Sequence, residues 1–141
     1  MYQQKHLKRL EIGSFVLRIV MGIIFLFHGV DKFVMGMDSV STMFNTFGIS
    51  GFFAYVIATL EVVGGAALIL GLETKIFAAL FAIQMIVAFL YVTSGSGLIN
   101  GFEIDLLLFA CCVHLMMNGS SWLSLDNVFH GGRRRVQSEE A

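Results

Sequence analysis

A handful of polar side chains lie inside stretches that are otherwise apolar: Arg18, His28, Asp31 and Lys32 in the first, Glu61 in the second, Gln84 in the third, and Glu103, Asp105 and His114 in the fourth. Guanidinium and ammonium groups hold anionic or carbonyl oxygens, while imidazoles and carboxylates move protons. Polar groups in such surroundings usually face a protein interior, find partners, and mark substrate or proton pathways. The candidates for proton chemistry are His28, Glu61 and Glu103. Those for substrate binding are Arg18, Lys32, Gln84 and Asp105. Cys111 and Cys112 are adjacent. Neighbours on a helix point about 100° apart, a disulfide between them is strained, and no CxxC is present, so a thiol redox role is disfavoured. No metal site is expected: His28 and His114 lie on different stretches at different depths, with neither HxxxH nor ExxH spacing. The chain has no flavin or nicotinamide fingerprint and no iron–sulfur cysteine set.

The elements that must position these residues follow from composition. The 141 residues are 57% hydrophobic and 13% charged, against about 25% charged in a soluble domain. Two adjacent cysteines exclude a disulfide scaffold, and the apolar content excludes disorder. A net charge of −1 argues against nucleic acid as a partner. The remaining class is a small integral membrane protein whose first partner is the lipid bilayer. Four apolar stretches cover residues 12–35, 49–72, 74–93 and 102–118. Each approaches the roughly 20 residues that cross a hydrocarbon core. They do not alternate as barrel strands do. The expected fold is therefore an all-α bundle of four transmembrane helices. It forms a single domain over residues 1–130, followed by a flexible tail of mixed charge over 131–141.

Basic residues set the orientation. Lys5, Lys8, Arg9, Lys75, Arg133, Arg134 and Arg135 fall on the side of both termini, and only Lys32 falls opposite. The positive-inside rule then places both termini in the cytoplasm. The first stretch lacks a small-x-small cleavage site and does not read as a removable signal. Two short segments are expected to lie in the interface. One carries Val40, Met43, Phe44 and Phe47 with Ser39 as N-cap, and the other carries Trp122, Leu125 and Phe129.

Helical rise gives depths. Arg18 is expected roughly 9 Å, His28 roughly 24 Å and Lys32 roughly 30 Å above the cytoplasmic end, with Glu61 roughly 16 Å up on its own span. Arg18, His28 and Lys32 share an arc of about 80°. Ala54, Ala58 and Gly65 surround Glu61 with small residues, which turns it toward a neighbouring helix rather than lipid. Two polar layers are expected. In the outer one His28, Asp31 and Lys32 face Glu103 and Asp105. In the inner one Arg18 forms an ion pair with Glu61, with Gln84 and His114 nearby. The bland alternative is that these groups only fix helix register. For Glu103 and Asp105 it is that acids favour a helix N-terminus.

The run Arg18-Ile-Val-Met-Gly-Ile-Ile-Phe-Leu-Phe-His-Gly-Val-Asp-Lys-Phe33 resembles the opening of the DoxX family. So do Glu61-Val-Val-Gly-Gly-Ala-Ala-Leu-Ile-Leu-Gly-Leu72, Asn100-Gly-Phe-Glu-Ile-Asp105 and the stretch from Gly119 to Asp126. The likeness covers about residues 10 to 130. Its motif positions fall on Arg18, His28, Gly29, Lys32, Glu61, Gly65, Glu103 and Asp126. Ser120-Ser121-Trp122 departs from the Pro-Gly-Tyr type of turn expected after Gly119. The resemblance implies a four-helix protein of the bacterial inner membrane. The family is named for a subunit of a thiosulfate:quinone oxidoreductase. Its short members, CatD-like and MhqP-like, are linked to catechol and quinone stress.

The function expected is a membrane subunit of an oxidoreductase system acting on quinones or small aromatics through an intramembrane polar site. A quinone is the cofactor candidate. With no redox group of its own, the chain would need a redox partner protein. A carrier for a small molecule or ion, built as a homo-oligomer, and a membrane scaffold for a cytoplasmic enzyme are the alternatives.

Overall fold

The computed structural model describes residues 2–121 and 123–129, and all regular structure among them is helical. The expectations for Trp122, for the Arg133–Arg135 triplet and for the 131–141 tail fall outside the described residues. Helix α1 runs Tyr2–Met35, α2 Met37–Thr46, α3 Phe52–Leu70, α4 Thr74–Ala88 and α5 Glu103–Asn118. Helix α4 continues into a π-helical turn over Phe89–Thr93, and a second one, Leu98–Phe102, leads into α5. Single π turns concentrate near functional sites.

Three helical stretches are long and apolar enough to cross a membrane: Lys5–Met35, Phe52–Leu70 and Thr74–Thr93. Most of their outward side chains are apolar. Phe27, Val34 and Ile83, for example, are more than half exposed. That is the surface of a membrane protein, whose outside is as apolar as its core. Helix α5 is shorter, at 16 residues, or about 24 Å of rise.

Helix α1 packs chiefly on α3, and α4 on α5. Glycines set the first register. A Cβ on Gly65 would lie 2.6 Å from the backbone nitrogen of Leu26, and one on Gly29 would lie 2.8 Å from that of Val62. The antiparallel pair is thus fixed with Gly22 beside Gly65 and Gly29 beside Glu61 and Val62. The two pairs meet over Met21, Phe25, Leu68, Phe81, Met85 and Leu115. Phe25 and Phe81 stack there with ring planes 2° apart.

Helix α2 is amphipathic, as its sequence spacing indicates, but it is not an isolated surface helix. Val40 is 1% exposed, and Met43, Phe44 and Phe47 turn inward over a cavity. Nor does Ser39 cap it. Gly36, at φ 90°, takes the N-cap position, with no side-chain cap. The left-handed backbone that ends α1 there suits glycine, and it starts α2 earlier than a Ser cap would.

Candidate functional site

Glu61 sits midway along α3 and is 2% exposed. The small residues around it, Ala54, Ala58 and Gly65, are all buried against neighbours, so the helix face that carries Glu61 points into protein. A buried carboxylate is tolerated only when paired and hydrogen-bonded. Both of its oxygens are used. The Lys32 ammonium donates to Oε2 at 2.6 Å, and the Gln84 amide donates to Oε1 at 2.5 Å. Three helices, α1, α3 and α4, therefore converge on one carboxylate.

The Arg18–Glu61 pair expected from depth counting does not form. Arg18 lies one end of the bundle away, level with Gly71, where it donates to the carbonyls of Ser120 and Leu123 at 3.0 Å each. The cause is register. The glycine contacts place Glu61 beside Gly29, 11 residues and about 16 Å of helix from Arg18. Depth counting takes Ile12 and Leu72 as level, whereas in the packed pair Arg18 itself lies beside Gly71, so it sits lower against α3 than its count. Arg18 is therefore part of a structural cap rather than of the site around Glu61.

The triad opens on a cavity of about 230 Å³ under α2. His28, Lys32, Glu61, Gln84 and Asp105 supply its polar wall, and the remaining lining is apolar, with Phe25, Phe44 and Phe47 as its rings. His28 donates from Nδ1 to the carbonyl of Ile24 at 3.0 Å, which leaves Nε2 as the ring atom that can give or take a proton. Asp105 accepts a hydrogen bond from the Thr93 hydroxyl at 2.7 Å. Thr93 is the last residue of the first π turn, so that irregularity positions the acid. The Gln84 oxygen is buried and has no hydrogen-bond partner among the described residues. A second cavity, of about 480 Å³, shares Ile49, Ile57, Gln84 and Val87 with the first and is otherwise apolar apart from Ser50 and Tyr91.

Of the residues singled out in the sequence, His28, Lys32, Glu61, Gln84 and Asp105 are thus brought together. Glu103 is not: it is exposed at the start of α5 and lies outside the cavity wall. Asp31 is likewise exposed. The outer layer expected from Lys32 facing Glu103 gives way to Lys32 reaching inward to Glu61, the better buried carboxylate. His114 is at the other end, hydrogen-bonded through Nε2 to the Ser14 hydroxyl at 3.0 Å. Thr93 and the aromatic roof from α2 were not recognised as site components. The recurrence of Met43, Phe44 and Phe47 was a usable signal for the roof, but it does not tell an outward face from an inward one.

The sequence profile described as DoxX matches residues 13–94. The chain belongs to the DoxX family. A relative from Bacillus subtilis (strain 168), named "Putative oxidoreductase CatD", is 39% identical over 127 residues, covering 90% of this chain and 94% of the relative. An uncharacterized protein of Haemophilus influenzae is 29% identical over 119 residues, covering 80% of this chain and 87% of its own length. No solved structure matches. The DoxX match spans Arg18, His28, Lys32, Glu61 and Gln84, so it includes the whole triad and the cap arginine. Asp105 comes from α5, beyond the matched residues.

Proposed function

We propose that this DoxX protein is the membrane subunit of an oxidoreductase system and binds a quinone, or the corresponding hydroxylated ring, in the cavity under α2. The observation that carries the reading is the unpartnered Gln84 oxygen beside the Lys32–Glu61 pair in an otherwise apolar pocket. A buried acceptor without a donor is rare unless something supplies one. A ring hydroxyl is such a donor, and the phenylalanine walls suit the ring face. Lys32 can hold the second oxygen.

Reducing a quinone to its hydroquinone takes two electrons and two protons. His28 and Glu61 are placed to pass the protons, and the electrons come from a partner protein. The second cavity, sharing Gln84, gives an apolar tail a way out between α3 and α4. The relative's name as an oxidoreductase supports the general class.

In this reading α5, extended by the π-helical turn before it, is the fourth span of a cell-membrane protein. Both termini and the basic residues around them are cytoplasmic, and the cavity opens near the outer face. A homo-oligomer is compatible with the exposed apolar faces.

The test is a titration of the purified chain with menadione and with catechol, followed calorimetrically. Saturable binding is expected; Gln84→Leu weakens catechol, which brings the ring hydroxyl, at least tenfold, and Glu61→Gln weakens both compounds at least tenfold. Binding that neither substitution alters, or no saturable binding of either compound, overturns the assignment.

A further inference from the structure

At the opposite end of the bundle a polar pocket of about 330 Å³ lies between the start of α4 and the segment after α5. Two of its lining side chains are buried hydroxyls, Thr74 at 4% and Ser120 at 9% exposure. Neither hydroxyl has a hydrogen-bond partner among the described residues. Buried polar groups are nearly always paired, so two unpaired hydroxyls on one pocket mark a place for a ligand.

The pocket also receives the N-terminus of α4. Glu73 occupies the N-cap position with a left-handed backbone, φ 45°, and makes no side-chain cap. The first amides of a helix have no intrahelical partner, and the dipole there favours negative charge. Lys75 adds a full charge. Its stem is held against Gly119, where a Cβ would come 3.0 Å from Lys75 Cε. Hydroxyls, helix amides and an ammonium are the donor set of a phosphate site.

The two acids on the wall have separate explanations. Asp126 is electrostatically coupled to Arg18. Its amide is held by the Gly71 carbonyl and the Ser124 hydroxyl. Glu73 is exposed at the rim, where it suits a headgroup that carries an ammonium next to its phosphate. The location also favours a lipid, because the apolar span over α4 begins at Thr74, which is where a bilayer's phosphates lie.

We propose that this pocket binds a phosphate group, presented by a phospholipid headgroup or by a soluble phosphate ester. The site is independent of the cavity under α2, and the quinone assignment can fail without affecting it.

The experiment measures the melting midpoint of the full chain in detergent against four probes: short-chain phosphatidylethanolamine, short-chain phosphatidylglycerol, glycerol phosphate and inorganic phosphate. Diacylglycerol of the same chain length is the control without a phosphate. A saturable rise with a phosphate probe, with half-saturation at least tenfold higher in Thr74→Val, Ser120→Ala and Lys75→Gln, is the expected result. Lys75 is exposed, so Lys75→Gln remains informative if a hydroxyl variant does not fold. A rise confined to the two lipids identifies the membrane as the source, and a rise with glycerol phosphate or inorganic phosphate identifies a soluble one. No saturable rise with any of the four, an equal rise with diacylglycerol, or an equal response in the wild type and the variants overturns the proposal.

Discussion

Two cations sit on the same helix about 21 Å apart, and they do different work. Arg18, fully buried, directs its guanidinium at two backbone carbonyls of the segment after α5. Around it the Ser124 hydroxyl and the Asp126 amide close on the Gly71 carbonyl, and Gly71 itself is left-handed at φ 71° with no room for a Cβ beside Arg18 and Ser124. Lys32 is partly exposed and meets a carboxylate shared with Gln84, on the wall of a cavity. A planar guanidinium with five fixed donors suits carbonyls that a folded loop holds in place. An ammonium on a flexible stem suits a partner that can be protonated, or an oxygen that comes and goes. The chemistry of the partner, more than the sign of the buried charge, separates a latch from a site.

The sharpest way to break that contrast is to remove the latch. Arg18→Met orphans the carbonyls of Ser120 and Leu123 at about 1–3 kcal/mol each and empties part of a tightly filled space. A loss of about 3–5 kcal/mol is expected, seen as a collapse in folded yield on size-exclusion chromatography. Because the carbonyls of Ser120 and Leu123 are backbone atoms, no single second substitution restores it, and Asp126→Asn added to Arg18→Met leaves the yield low. Recovery in that double variant would show that charge pairing, rather than carbonyl capture, is what Arg18 provides.

The pair at the cavity behaves in the opposite way. Lys32→Met strands a buried carboxylate. The expected loss is about 2–3 kcal/mol, below the 3–5 typical of a fully buried pair because Lys32 retains 17% side-chain exposure. Here a second change does help, since replacing both members with apolar groups of similar volume is often neutral. The double variant Lys32→Met with Glu61→Met is therefore expected to melt at least as high as Lys32→Met alone and to regain about 1 kcal/mol or more, while menadione binding is abolished. A strictly additive cycle would remove the coupling on which the site is built.

How much of this was legible beforehand can be argued residue by residue. The helical class and the membrane environment follow from hydropathy, which is a sum over many residues and tolerates local error. That Glu61 faces protein followed from its small neighbours, because a helix face is a short-range property. Its partner did not follow. Pairing across α1 and α3 depends on register, and register is set by where glycines let two backbones touch, at Gly22, Gly29 and Gly65. A shift of a few turns moved the partner from Arg18 to Lys32. The same limit applies to Glu103: its spacing put it near the outer end of its stretch, but the π turn before α5 leaves it at the surface. Asp105, two residues on, instead meets Thr93.

The smallest effects come from His28 and His114, one in each region, and they divide stability from binding most cleanly. His114 bridges α5 to α1 through Ser14 and takes no part in the cavity. His114→Ala is expected to lower stability by about 1 kcal/mol, the net value of one hydrogen bond, with menadione affinity unchanged. Among the described residues His28 bonds only to the carbonyl one turn before it, and it is exposed at the cavity wall. Its ring holds no other element in place, so His28→Ala is expected to shift stability by less than about 0.5 kcal/mol. Menadione or catechol affinity should fall several-fold. Melting curves and calorimetric titrations on the two single variants check both halves. If His114→Ala were the one to weaken ligand binding, or His28→Ala the one to unfold the protein, the division between latch and site would have to be redrawn.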